Sequence, residues 1–65
     1  MQKPSHKMKA LVVNDSEEVR EILSGILKRR GIQVVVAGNA GPAMDRLVDE
    51  SFDFVVTDLD APGTN

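Results

Sequence analysis

Three short apolar runs alternate with two helical patterns along the chain, and this alternation restricts the fold more than any other feature. The runs occupy residues 10–13, 33–37 and 53–57 and are rich in valine. Short, continuous, β-branched runs are typical of strands buried on both faces of a parallel sheet. Strands that alternate with helices predict such a sheet, joined by right-handed crossovers. We therefore expect an α/β fold, a βαβαβ unit whose three parallel strands have the order 2-1-3 and carry one helix on each face.

The first helical pattern covers residues 16–30. Its apolar residues follow the i, i+3, i+4, i+7, i+8 spacing of one helix face: Val19, Ile22, Leu23, Ile26 and Leu27. Asp15 and Glu18 predict a capping box at its start, and Gly31 predicts a left-handed stop at its end. Gly25 is the exception, since glycine inside a helix costs about 1 kcal/mol relative to alanine. Close packing against a neighbour would explain it.

The second helical pattern covers residues 40–50. Asn39 is a suitable N-cap, and Pro42 falls in the first turn, where a missing N–H costs little. Its apolar face is formed by Ala40, Ala43, Met44, Leu47 and Val48.

The composition excludes several classes of site. The 65 residues include no cysteine, which excludes disulfides, thiolate zinc sites and cysteine nucleophiles. A net charge of −2 and an aromatic content of two Phe argue against nucleic-acid binding. No apolar run is long enough to cross a membrane. We expect residues 1–8 to form a flexible N-terminal tail and residues 9–65 one domain, which acts in the cytoplasm and has no enzyme active site.

Polar residues follow the first and third apolar runs. Asn14 and Asp15 come directly after the first run, and Asp58 and Asp60 come after the third. In a sheet of order 2-1-3 the carboxyl ends of these two strands lie side by side, and ligands of open α/β sheets bind at this place. A single Asp after a strand is more often a cap or a turn former. The meeting of these residues, rather than any one of them, predicts a site.

The same residues resemble the receiver domain of bacterial two-component response regulators, which has a flavodoxin-like fold. Residues 11–15 look like the first strand with its acidic pair, and residues 52–63 look like the third strand with its phosphorylation loop. The resemblance implies that Asp58 is the phosphoacceptor. It also implies that Mg²⁺ is held by the Asp15 and Asp58 carboxylates and the backbone carbonyl of Asp60. A sensor histidine kinase would be the phosphodonor in the full-length context.

The sequence departs from the family's pattern in two ways. Asn14 stands where the family usually has an acidic residue, so we expect weaker Mg²⁺ binding, with the Asn14 amide oxygen as an additional candidate ligand. Ala61 replaces the usual Met. The match covers the first half of a receiver, namely three strands and two helices. The Ser/Thr of the fourth strand and the Lys of the fifth have no counterpart, so we expect a truncated domain that is not competent alone for phosphorelay signalling.

An exposed apolar third strand predicts self-association. Without a fourth strand beside it, residues 54–56 would form an open edge that recruits other strands. Two copies could pair there about a two-fold axis to give a homodimer. Three functions stay open: a regulatory half-receiver that folds by dimerising, a phosphoacceptor module that uses Asp58, and a binding module that complements or antagonises an intact receiver by strand addition.

Overall fold

The computed structural model describes residues 7–57, which form a three-stranded parallel sheet with two helices. The elements in chain order are β1 (Lys9–Val13), α1 (Glu17–Arg29), β2 (Gln33–Ala37), α2 (Ala40–Asp49) and β3 (Phe54–Thr57). The strand order is β2-β1-β3, and β1 is parallel to both neighbours. The predicted fold class and strand order are confirmed.

The central strand β1 forms the core of the sheet. Its residues from Ala10 to Val13 are between 0% and 4% exposed, because a strand pairs with each side of β1 and a helix covers each face. The flanking strands are less buried, and Val36 of β2 is 43% exposed. The expectation that β2 is fully buried is therefore wrong. In the described part of the chain β2 lies at the edge of the sheet, so one side of it has no neighbour.

The two helices lie on opposite faces of the sheet. Ala43 of α2 packs in one cluster with Leu11, Val13 and Ala37. Residues of α1 line a groove together with Val34 and Val36 of β2. Successive side chains of a strand point to opposite faces, so Val34 and Val36 lie on the face of β2 opposite to Ala37 of that cluster. Neither helix within residues 7–57 has the length and hydropathy needed to span a bilayer.

The ends of the helices agree with the sequence only in part. The N-cap of α1 is Ser16, whose Oγ accepts a hydrogen bond from the Val19 N–H at 3.2 Å. The predicted capping box based on Asp15 is wrong by one residue, because the chain is still in the turn after β1 at Asp15. The other end is as predicted, since Gly31 has a φ of +79° directly after the C-cap. Asn39 also caps α2 as predicted, accepting from the Gly41 N–H at 3.0 Å.

The predicted apolar face of α1 is only partly buried. Leu23 and Leu27 are half-buried, whereas the other three members of the face are exposed: Val19, Ile22 and Ile26. The apolar stripe is wider than the area of the sheet that α1 contacts. A single helix on a three-stranded sheet leaves part of that stripe in solvent.

A cluster around Lys9 attaches the start of β3 to β1. The Lys9 ammonium is hydrogen-bonded to Glu50 and lies 5.2 Å from the centroid of the Phe52 ring. The Lys9 backbone N–H donates to Asp53 Oδ2 at 2.7 Å, and the Asp53 N–H donates to the Lys9 carbonyl at 2.8 Å. The hydrogen bond from Lys9 holds the pKa of Glu50 below its usual value, against the opposing effect of desolvation, and the charges of Lys9 and Arg46 lower it further.

Replacing Glu50 by Gln should lower the urea midpoint of unfolding near neutral pH. A pKa that is lower in the folded than in the unfolded state stabilises the fold above the unfolded pKa, and this stabilisation is lost as the pH falls through the folded pKa. The difference between Glu50→Gln and the parent chain should therefore disappear in acid. The exposed carboxylate of Asp49 provides the control, and Asp49→Asn should change little at either pH. An equal loss at both pH values for Glu50→Gln would show that the charge is not responsible.

Candidate functional site

The turn between β1 and α1 lies at the carboxyl edge of the sheet and is tightly bonded. Asn14 is 8% exposed, and its N–H donates to the Ala37 carbonyl at 3.1 Å. Its Oδ1 accepts from the Ser16 N–H at 2.9 Å, which closes an Asx turn. Asn14 therefore has a structural role that its sequence position alone did not reveal.

Arg20 of α1 is a site residue that sequence reasoning missed. Its Nη1 donates to the Asn14 backbone carbonyl at 2.7 Å, and a Cβ added at Gly38 would lie 3.6 Å from the same nitrogen. The guanidinium thus places a fixed positive charge between the ends of β1 and β2. The only sequence signal for this contact is a basic residue near the start of a helix that follows an acidic loop. This pattern is too common in proteins to predict the contact.

The register of the sheet brings the ends of β1 and β3 together. Val13 is paired with Thr57, so the Asn14–Asp15 turn begins beside the residue from which the chain continues to Asp58. Asp15 itself is exposed. The predicted phosphoacceptor Asp58 and the predicted ligand Asp60 lie outside the described residues.

The donors near this edge suit a hard cation. Within residues 7–57 no group of three or more His, Cys, Asp or Glu side chains could hold a metal ion. Of the predicted ligands, this range contains Asp15 and Asn14. Asp15 offers an exposed carboxylate, the kind of oxygen ligand that Mg²⁺ prefers. The Asn14 oxygen is engaged by Ser16 but keeps a second lone pair. The oxygen donors of Asn14 and Asp15 fit Mg²⁺ chemically. Together they bring one negative charge, whereas the usual acidic pair of the family would bring two.

Comparison with known proteins identifies the family of this chain. Residues 10–65 match the response regulator receiver domain family. The chain belongs to this family. Its general role is therefore that of a receiver in a two-component phosphorelay.

Several curated proteins are similar to this receiver domain. The sensory/regulatory protein RpfC of Xanthomonas campestris is 34% identical over 58 residues, which is 89% of this chain and 8% of RpfC. The sensor kinase/phosphatase CqsS of Vibrio cholerae is 27% identical over 62 residues, or 95% of this chain and 9% of CqsS. The transcriptional regulatory protein YxdJ of Bacillus subtilis is 35% identical over 54 residues, or 83% of this chain and 24% of YxdJ. The receiver domain thus spans a small part of each relative. No solved structure matches it significantly.

Removing the Arg20 guanidinium should destabilise the receiver domain and loosen its β1–α1 turn. A hydrogen bond that involves a charged, partly buried group contributes about 1–2 kcal/mol, so Arg20→Ala should lower the free energy of unfolding by that amount. Urea unfolding measures this loss, and amide exchange at residues 14–16 reports the loosened turn. The exposed Arg29 of the same helix is the matched control. Equal effects of Arg20→Ala and Arg29→Ala would contradict the positioning role.

Proposed function

We propose that this chain carries the phosphoacceptor Asp58 of its receiver domain and part of the Mg²⁺ site that assists it. The observation that carries the proposal is the pairing of Val13 with Thr57, since the two predicted acidic segments continue from these adjacent residues. The proposed place of action is the cytoplasm, and no enzymatic activity is assigned to the chain itself.

The proposed reaction is nucleophilic phosphoryl transfer. An Asp58 carboxylate oxygen attacks the phosphorus of a phosphohistidine on a sensor histidine kinase, and an acyl phosphate forms as the P–N bond breaks. The electron pair of that bond stays with the histidine nitrogen. The Asp15 and Asp58 carboxylates and the Asp60 backbone carbonyl would hold Mg²⁺, with the Asn14 oxygen as a further candidate. When bound, Mg²⁺ neutralises charge on the phosphoryl oxygens.

Two features favour weak Mg²⁺ binding. Asn14 replaces a carboxylate by a neutral amide, and Arg20 places a positive charge against the same turn. Both reduce the negative potential at the carboxyl ends of β1 and β3. We therefore propose that the 65 residues alone are not competent for phosphorelay signalling.

Intact mass spectrometry tests the phosphoacceptor. After incubation with a small acyl phosphate and Mg²⁺, the chain should gain at most one phosphoryl group, at well below one group per chain. This adduct should disappear in Asp58→Asn and after chelation of Mg²⁺, and should persist in Asp60→Asn, because Asp60 is proposed to act through its backbone carbonyl. An adduct that survives Asp58→Asn would overturn the assignment. Complete phosphorylation of the isolated chain would instead contradict only the proposed lack of competence.

The β3 edge supports the proposed self-association. Within the described residues β3 pairs only with β1, and Val55 is 45% exposed. Apolar edges of this kind recruit a further strand. Two copies pairing through β3 about a two-fold axis would form a homodimer with a continuous six-stranded sheet.

Hydrogen exchange measured at several protein concentrations tests the β3 homodimer. Protection of the amides of residues 54–57 should rise with concentration in the parent chain. Val55→Lys should abolish this rise, because it places a charge on the proposed edge contact. Val48 of α2 is 81% exposed, and Val48→Lys should leave the rise intact. Concentration-independent exchange in the parent chain would contradict β3 pairing.

A second candidate function uses the same exposed edge. The chain could act as a binding module that adds β3 to an intact receiver domain and so complements or antagonises it. This function predicts that β3 amides become protected when the intact receiver of a relative is added, at concentrations where the chain alone is a monomer.

A further inference from the structure

A groove lies between α1 and the free edge of β2, on the face of the sheet away from α2. Its volume is about 420 Å³. The floor is formed by Val34 and Val36, and the α1 side contains two small residues in the middle, Ser24 and Gly25. Charged residues lie along the same side of α1: Glu17, Arg20, Glu21 and Lys28. The groove contains none of the residues proposed to hold Mg²⁺ or the phosphoryl group, although Arg20, which donates to the Asn14 carbonyl, lines it.

Two residues at the middle of the groove have no partner inside the described chain. Ser24 is 9% exposed, and its hydroxyl has no hydrogen-bond partner among the described residues. Gly25 lies inside α1, yet a Cβ added there would meet no atom within 4 Å apart from the neighbouring backbone of the helix itself. The close neighbour expected from the sequence to explain Gly25 is therefore absent from residues 7–57. The exposed Gly25 therefore leaves room for close contact with a second molecule, beside the buried and unpartnered Ser24 hydroxyl.

The backbone of β2 is arranged for antiparallel pairing at the same level. The Gln33 N–H and the Ala37 carbonyl both bond to the β1 side of the sheet. Backbone groups alternate in direction along a strand, so those of Val34 and Val36 point outward from the edge. A second β2 strand in antiparallel orientation, centred on Val35, would pair Val34 with Val36 through these groups.

The charges along α1 favour the same antiparallel arrangement of two copies. Glu21 and Lys28 lie about one turn on either side of the Ser24–Gly25 pair. Neither forms an ion pair with another residue of the described segment. A two-fold axis near Ser24 and Gly25 would bring Glu21 of each copy opposite Lys28 of the other. A single two-fold axis would therefore pair the two β2 edges, bring the small residues of the two helices together and place opposite charges face to face.

We propose that this groove is a homodimer interface, in which a second copy of the chain pairs antiparallel through β2 and packs α1 against α1. Since strands are about 4.8 Å apart and α1 lies over β1 and β2, the two α1 axes would be roughly 10 Å apart, which is a normal distance for packed helices. The facing Cα atoms of Gly25 would then be roughly 5–6 Å apart. The interface does not include β3 or any residue proposed to hold Mg²⁺ or the phosphoryl group.

Single-cysteine cross-linking tests the position of the interface. The chain has no native cysteine, so one introduced residue reports alone. Gly25→Cys should form a disulfide-linked dimer under mild oxidation, because the expected Cα separation lies in the range of disulfides. Ile22 is exposed on α1 but does not line the groove, so Ile22→Cys is the matched control. Equal cross-linking of the two variants would overturn the proposal.

Charge exchange tests the antiparallel orientation. Glu21→Lys and Lys28→Glu should each weaken self-association through this interface at least tenfold at low salt, because like charges then face each other. Mixing the two variant chains should restore association to near the parent level, since each altered helix meets the opposite charge on its partner. This association is followed as fluorescence transfer between labelled chains, in a Val55→Lys background that removes any β3 contact. Circular dichroism verifies that each chain is folded.

Failure of the mixed chains to associate, while both remain helical, would overturn the two-fold arrangement. Gly25→Gln provides a second variant that cannot fail merely through misfolding, because Gln favours a helix more than Gly does. It should preserve or increase the helix signal and weaken association at least tenfold. Unchanged association of Gly25→Gln would also contradict the proposal.

Discussion

The burial of β1 is the constraint on which the rest of this receiver domain depends. A strand with 0% to 4% exposure over four residues cannot satisfy its backbone groups with water. It must have a paired strand on each side and an apolar cover on each face. The parallel sheet, the two crossovers and the opposite placement of α1 and α2 all follow from this requirement. It also places the end of β1, and with it Asn14 and Asp15, beside the ends of both neighbouring strands.

The turn after β1 combines structural and chemical demands. Asn14 closes the turn with its side chain and receives Arg20 at its carbonyl, while Asp15 remains exposed. An amide suits the first task because it accepts a hydrogen bond without placing a negative charge in this buried position. An amide at position 14 in place of a carboxylate also leaves one negative charge fewer to bind a cation. The turn is thus held firmly while its negative potential is reduced, which is the physical basis for proposing a weak Mg²⁺ site.

The two flanking strands of the described sheet have free edges of different character. The β3 edge is a simple apolar strand with Val55 exposed, suited to adding almost any strand. The β2 edge is accompanied by α1, with small residues and charges of both signs along it. A helix beside an edge restricts which partner can approach and in which direction. The two surfaces therefore favour contacts of different specificity, and pairing at both would produce assemblies longer than a dimer.

The sequence by itself determined the elements and their order. Valine-rich runs, the stop at Gly31 and the cap at Asn39 are local signals, so the strands, the helices and the α/β class could be read from them. Features that depend on the tertiary contacts of an element could not be predicted from these local signals. The cap lies at Ser16 rather than Asp15 because the turn after β1 ends there. The contact from Arg20 to Asn14 and the partial exposure of the α1 stripe depend on how α1 lies over the sheet. Only the tertiary structure decided these, because local patterns record which residues are apolar but not which neighbour covers them. The partnerless Ser24 hydroxyl and the open space at Gly25 are the clearest cases, since both are defined by an absent neighbour within the described chain.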